Sequence, residues 1–362
     1  MQSVRAAVLI APNQLKLTEF PYPSHGEDAA IIRVEAAGLC GSDVEQVRGE
    51  DPRAWMGIVP GHEPLGVVES IGRVAAERWG VDVGDRICVE VVVPCQTCPG
   101  CLERTYVECR APLGGYGYRP FKAHTELTGG FAEVMYVHPN SIVHRIDASI
   151  PAEIAAMYNS IAAGIRWAVH LGGVRSGDVV VIFGAGQRGI ASAMAAKAAG
   201  ASQVIITGLT RDAHKLKVAT RFGADATIDA EIEDVPARVL ELTGGRLADV
   251  VVDVTPIALA PIQHAIDVAR IGGTIVVAGL KNGRPASIST DQLITKSLRI
   301  LAARGVDSRS IDEAIALIES RKYPLELLQT HSYSLDDVAL AISVLGGEVP
   351  TQQAINVVLL PN

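Results

Sequence analysis

Four cysteines fall inside fifteen residues, as Cys95-x-x-Cys98-x-x-Cys101-x7-Cys109. Thiolates at this spacing can close a tetrahedron around Zn²⁺, which takes sulfur readily and tolerates a loop-built site. The last gap is seven residues and no proline follows Cys109, unlike the usual ferredoxin run. Buried free thiols or two disulfides are the competing readings. The six cysteines, at 40, 88, 95, 98, 101 and 109, cluster in the first third of the chain, which suits metal in a reducing compartment better than disulfides. A metal held by four sulfurs has no open position for a substrate, so its role would be structural.

A second candidate centre pairs Cys40, in Gly38-Leu39-Cys40-Gly41-Ser42-Asp43, with His62, in Pro60-Gly61-His62-Glu63. A thiolate and an imidazole at this separation are common by chance, and a lone histidine is more often a satisfied core or surface residue than a ligand. Glycines beside both, and an acid at Asp43 able to orient His62, argue for metal. The third is a strand-like run, Val179–Phe183, leading into Gly184-Ala185-Gly186-Gln187-Arg188-Gly189 and an Ala-rich helical segment. Gly184 suits a tight turn, Gly186 a close approach of backbone to pyrophosphate, and Gly189 the packing of helix on strand. Gln187 and Arg188 open the helix, whose free N–H groups and positive end would receive the anion.

The elements that must hold these groups are legible in the pattern. At 362 residues there is room for about two domains. Hydrophobic residues make up 48% and aromatics only 4%, so aliphatic side chains must build the cores, as in parallel sheets covered by helices. The net charge of −8, with Lys and Arg scattered, favours neither nucleic acid nor a membrane surface as partner. No stretch of 18 uncharged apolar residues occurs, and the first apolar run, closed by Pro12, reads as a strand and turn, not a signal peptide. The expectation is a cytoplasmic protein.

Up to about residue 150 short segments alternate between Gly and Pro punctuation: Ala6–Ile10, Ala30–Glu35, Gly66–Ile71, Arg86–Val93 and Ala132–Val137. They predict an antiparallel, barrel-like domain. Pro151–Leu171 predicts a helix. Six strands then alternate with helices: Val179–Phe183, Gln203–Thr207, Ala226–Ile228, Asp249–Asp253, Thr274–Ala278 and Arg299–Ala303. This predicts an α/β, doubly wound parallel sheet. Ser310–Ser320 reads as a further helix and Ala354–Leu360 as a strand rejoining the first domain.

Taken together, Cys40-Gly-Ser-Asp, Gly61-His62-Glu63, the four-cysteine lobe and the glycine turn resemble, over essentially the whole chain, the zinc-dependent alcohol dehydrogenases of the medium-chain dehydrogenase/reductase superfamily, which includes the sorbitol and threonine dehydrogenases. The resemblance implies a GroES-like β-barrel catalytic domain, 1–158 and 304–362, carrying a four-cysteine zinc lobe at about 94–110. It also implies a Rossmann domain, 159–303, with an active site in the cleft between the two. One Zn²⁺ would be structural, on Cys95, Cys98, Cys101 and Cys109. The other would be catalytic, on Cys40 and His62, with Glu63 able to approach or join it and Asp43 behind His62. Ser42 would be the hydroxyl that takes the substrate proton. The activity implied is reversible hydride transfer between a small-molecule alcohol and NAD(P), in a homodimer or homotetramer.

Three positions depart from the family pattern. Asn159 stands where a further cysteine or acidic residue is usual, and an amide is a poor zinc ligand. Glu45 stands where many relatives carry a proton-passing histidine, and reads first as a solvated surface carboxylate, second as a relay. Gly208 replaces the acid that binds the ribose 2′-hydroxyl, with Thr210 and Arg211 following, which leans the cofactor toward NADP; Asp212 complicates this. Val91, Trp55, Met56, Tyr116 and Tyr118 are candidates to line the cleft, though each taken singly reads as packing. The alternatives are an NADPH-dependent carbonyl or enal reductase of the same superfamily and, remotely, a nucleic-acid-binding zinc module. The lobe lacks the basic face such a module needs, Arg104 and Arg110 being offset by Glu103 and Glu108.

Overall fold

The computed structural model describes residues 3–51, 55–103, 106–110, 112–118 and 127–362. Arg104 lies outside them. The alternating segments of the first part form β1 (Ser3–Ala11), β2 (Gln14–Pro21), β3 (Ala30–Leu39), β4 (Glu63–Ile71), β5 (Arg86–Val89), β6 (Val92–Val93), β7 (Gly114–Gly115), β8 (Val134–Val137) and β9 (Val143–Arg145). Between them lie helices α1 (Gly41–Arg48), α2 (Arg73–Trp79) and α3 (Pro99–Leu102). The predicted strand Arg86–Val93 is two strands, interrupted where Glu90 turns its side chain inward to His144 and Tyr106.

Pro151–Leu171 is not one helix. Pro151 caps a single turn, α4 (Ala152–Ala155), and a second helix, α5 (Tyr158–Gly164), passes into a π-helical stretch, Ile165–Leu171. Then come β10 (Val179–Phe183), α6 (Gln187–Ala198), β11 (Gln203–Gly208), α7 (Ala213–Ala219), β12 (Ala226–Asp229), α8 (Val235–Leu242), β13 (Ala248–Asp253), α9 (Ala260–Val268), β14 (Ala269–Val277), α10 (Thr290–Thr295) and β15 (Arg299–Ala302). The chain ends with α11 (Ser308–Glu319), β16 (Gln329–Ser334), α12 (Val338–Leu345) and β17 (Asn356–Leu360).

Two compact units result, 1–159 with 315–362, and 160–314. In the first, β16, β17, β3, β4, β5 and β9 lie side by side, with β8 also on β3. Each of these pairings is antiparallel except β16 with β17. Their inward residues, among them Ile31, Leu39, Val89, Val134 and Val357, share one core. The β3/β4 register sets Gly38 opposite Glu63, so that Cys40, just past the end of β3, and His62, just before β4, emerge at the same edge.

The second unit is a six-stranded parallel sheet in the order β12-β11-β10-β13-β14-β15. Its central strands, β10 and β13, are wholly buried, as their unbroken Val/Ile runs require of strands covered on both faces. The unit runs to Ala314 and does not end at 303, because Trp167 donates to the Gly305 carbonyl, Arg166 pairs with Asp307 and His170 with Glu313.

Candidate active site and cofactor-binding turn

Helix α1 opens on Cys40, whose backbone is still extended, and Asp43 sits one turn in. Asp43 has no exposure and spends its two oxygens on two jobs: Oδ2 accepts the Cys40 backbone N–H at 2.8 Å, and Oδ1 holds His62 Nδ1 at 3.0 Å. One carboxylate thus caps the helix that carries Cys40 and orients the ring of His62. Burial works against a protonated His62, but the Asp43 carboxylate, with Tyr118 and Cys40 adding to it, holds the ring well above the usual histidine range. The same pairing raises the ring's basicity as a ligand through its other nitrogen.

That nitrogen, Nε2, lies 3.6 Å from Glu63 Oε1. Cys40, His62 and Glu63 are all buried, and their ligand atoms lie within 4.8 Å of one another. Gly38, opposite Glu63 in the β3/β4 ladder, gives the carboxylate its room: a Cβ there would stand 2.8 Å from Glu63 Oε2. A converging sulfur, nitrogen and oxygen set of this kind fits Zn²⁺. Ser42, in the first turn of α1, donates to Cys40 Sγ at 3.3 Å and accepts from the Tyr118 hydroxyl at 2.8 Å.

Asn159 is buried in α5 directly after Tyr158, whose hydroxyl donates to the Pro64 and Val89 carbonyls. Glu45 corrects the reading from spacing. It is 7% exposed, not a surface carboxylate, because α1 is covered on more than one side and buries every residue from Asp43 to Val47. Of the candidate lining residues, Tyr116 belongs to the core, its hydroxyl paired with Ser141 Oγ and accepting the His138 N–H. Trp55 and Met56 are exposed, and Tyr118 stands at the site.

In the lobe, Cys98 Sγ is 3.6 Å from Cys101 Sγ and 3.9 Å from Cys109 Sγ, and Cys95 Sγ is 3.8 Å from Cys101 Sγ. None is disulfide-bonded. A tetrahedron with zinc–sulfur bonds of about 2.3 Å has edges of about 3.8 Å, which these three distances match, and all four sulfurs lie within 4.8 Å of one another. Hydrogen bonds from the Thr97 hydroxyl and from the Thr97 and Cys98 backbone lower the Cys95 thiol to about 6, whereas burial and the neighbouring Cys98 and Cys109 sulfurs push Cys101 up to about 12.

In the second unit the three glycines each meet a distinct need. Gly184 has φ +105°, a left-handed conformation that strains other residues. Gly189 lies so close to the turn that a Cβ would sit 1.8 Å from the Gly184 carbonyl oxygen. Gly186 faces open space and caps α6. The result is a cradle at a helix N-terminus beside the β10/β13 junction, where the strand order reverses, and it fits a dinucleotide pyrophosphate. Gln187 begins α6, and the Arg188 guanidinium rests over the Trp167 ring, 5.5 Å from its centroid.

At the end of β11, Gly208 is hemmed by Ala185 and Leu216, each 3.2 Å from where a Cβ would be. Thr210 is already engaged, its hydroxyl donating to Asp229 at 2.7 Å and its N–H to Glu231 at 2.8 Å. Asp212 accepts from the Leu209 N–H and from Lys215, and Arg211 is exposed.

Comparison with known proteins agrees with this geometry. Residues 26–148 match the family described as alcohol dehydrogenase GroES-like domain, and residues 188–320 the family described as zinc-binding dehydrogenase. The chain is 43% identical over 364 residues to the probable alcohol dehydrogenase of Mycobacterium tuberculosis, covering 99% of this chain and 98% of that protein. It is 31% identical over 372 residues to the erythritol/L-threitol dehydrogenase of Mycolicibacterium smegmatis, covering 99% and 98%. Among solved structures, the alcohol dehydrogenase of Thermus sp. ATN1 superposes with a TM-score of 0.87 at 26% identity, covering 99% of this chain and 100% of that one. A zinc-binding dehydrogenase of Sinorhizobium meliloti 1021, solved with NADP, gives 0.87 at 25% identity with both chains fully covered.

Proposed function

The chain belongs to the zinc-dependent alcohol dehydrogenases of the medium-chain dehydrogenase/reductase superfamily, and from that premise we propose how its residues divide the work of hydride transfer between an alcohol and NAD(P). Cys40, His62 and Glu63 hold the catalytic Zn²⁺, and Cys95, Cys98, Cys101 and Cys109 a structural one. The observation that carries this reading is the convergence of the Cys40, His62 and Glu63 ligand atoms within 4.8 Å, with Asp43 fixing the ring and the Ser42 hydroxyl 3.3 Å from Cys40 Sγ.

Zinc bound there supplies a Lewis acid that draws charge from the substrate oxygen, and the dinucleotide supplies the hydride acceptor. Asp43 keeps His62 in one orientation and one tautomer. Ser42, which both donates and accepts, takes the proton that leaves the alcohol. The Gly184–Gly189 turn and the first N–H groups of α6 bind the pyrophosphate, with Gln187 and Arg188 beside it. Asn159 is assigned to the wall of the site and not to the metal, since Glu63 can complete the ligand set.

For the cofactor's second phosphate, the lean toward NADP rests on Arg211. Thr210 is spent on Asp229 and Glu231, and those two carboxylates oppose a 2′-phosphate. Self-association is supported by β15. It pairs with β14 alone among the described residues and exposes Ile300 and Leu301 along an edge suited to a second copy. The clustering of the cysteines at metal-ligand spacing supports a reducing, cytoplasmic setting.

Metal analysis of the parent and of Cys40→Ala, together with a panel of alcohols assayed with NAD and NADP, tests the assignment. Two zincs are expected per parent chain and one in the variant, with turnover lost and dinucleotide binding kept. Full turnover in a protein shown to lack the Cys40 zinc would overturn it.

A further inference from the structure

A serine hydroxyl can point in three staggered directions, and a proton step is efficient only when the productive one is held. Ser42 is held. The Tyr118 hydroxyl donates to Ser42 Oγ at 2.8 Å, while Ser42 donates to Cys40 Sγ at 3.3 Å. The Tyr118 ring also packs on His62, with centroids 4.9 Å apart and planes at 41°. One tyrosine thus touches a candidate ligand with its ring and the proton-carrying hydroxyl with its tip.

Its position is built into the fold. Gly117 has φ +70°, and a Cβ on it would come within 2.7 Å of the Gly61 backbone, so that turn and the His62 loop meet backbone to backbone. The Gly117 N–H donates to the Thr128 carbonyl, and the Gly117 carbonyl accepts from Gln46 Nε2 at 2.8 Å. Ser42 and Gln46 are four residues apart on α1 and therefore share a face. One grips the Tyr118 hydroxyl and the other the residue before it.

On the reading of Ser42 given above, we propose that Tyr118 is a positioning residue for the proton step, fixing the Ser42 hydroxyl and extending its path to solvent. In oxidation the substrate O–H bond breaks as Ser42 Oγ accepts the proton. Ser42 passes its own proton to Tyr118 Oη, and Tyr118 passes its own to water. The substrate C–H electron pair leaves as hydride to the nicotinamide, and both hydroxyls end neutral. In reduction the chain runs inward, the polarity in which Tyr118 donates to Ser42.

Tyr118→Phe keeps the ring and removes the hydroxyl. It is expected to lower kcat about tenfold with KM changed by less than about twofold. The proton inventory in mixed H₂O and D₂O should fall from a curve needing more than one proton to a straight line. In a Ser42→Ala background, itself slower by about 10²–10⁴-fold, the second change should cost almost nothing. A readout without turnover is the cobalt(II)-substituted protein: releasing Ser42 alters its hydrogen bond to Cys40, so the thiolate-to-cobalt absorption should shift in Tyr118→Phe. Equal losses in both backgrounds, an unchanged inventory, or an unmoved cobalt band would each overturn the role of Tyr118. Full activity in Ser42→Ala would instead overturn the assignment of Ser42, and the inference with it.

Discussion

At the scale of single residues the site is economical, since Asp43 couples the start of α1 to the ring of His62. Glu45 shows how burial changes an assignment. Its place in the sequence suits a solvated charge, yet α1 carries it inside. On the proposed lean toward NADP, Arg211 is the residue on which cofactor choice would turn. Charge-assisted hydrogen bonds contribute roughly 1.5–3 kcal/mol, so Arg211→Ala is expected to weaken NADP by about one to two powers of ten while leaving NAD nearly unchanged. Fluorescence titration with each reduced cofactor measures both constants. A parent that prefers NAD strongly would assign the deciding role to the Asp229 and Glu231 carboxylates instead.

At the scale of elements the lobe and the glycine turn behave differently toward change. Among its described residues the lobe has little regular structure, a single helical turn, α3, and a 3₁₀ turn at Tyr106–Glu108, so on the proposed assignment four sulfurs around a metal would do what a hydrophobic core does elsewhere. A short polar tie joins it to the barrel: the Tyr106 hydroxyl donates to Glu90 at 2.6 Å, and Glu90 also pairs with His144. Cys101→Ser is expected to lower Tm by roughly 5–15 °C while folded enzyme still turns over. Differential scanning calorimetry beside an activity assay separates the two, and normal stability with abolished chemistry would contradict a structural role.

At the scale of the whole molecule, the exposed edge of β15 is the contact proposed above for self-association. Ile300 is 43% exposed and Leu301 37%, on a strand whose outer backbone groups have no partner strand among the described residues. Such an edge is costly to leave bare, and pairing it with a second copy satisfies both its hydrogen bonds and its apolar side chains. Ile300→Lys with Leu301→Glu should shift the sedimentation profile toward a smaller species without loss of folded structure by circular dichroism. An unchanged assembly would move the contact elsewhere.

The sequence by itself determined the local designs. The glycine turn was legible because two of its glycines answer backbone requirements other residues meet poorly, a left-handed φ at Gly184 and a close approach at Gly189, while Gly186 leaves the open space a pyrophosphate would need. The four-cysteine lobe was legible because its ligands are near neighbours in the chain, so spacing alone nearly fixes their geometry. The alternation of Val/Ile runs with helical segments likewise specified the parallel sheet and its strands, with ends displaced by a few residues, as where the strand predicted at Thr274–Ala278 runs from Ala269 to Val277. Only the tertiary structure decided which distant residues meet. The approach of Cys40 to His62 depends on the β3/β4 register. The room for Glu63 depends on Gly38 across that ladder, and the hold of Tyr118 on Ser42 depends on two glycine backbones touching at Gly61 and Gly117. These are long-range packing events, and a one-dimensional pattern carries periodicity and local conformation but not the register or close approach of segments far apart in the chain.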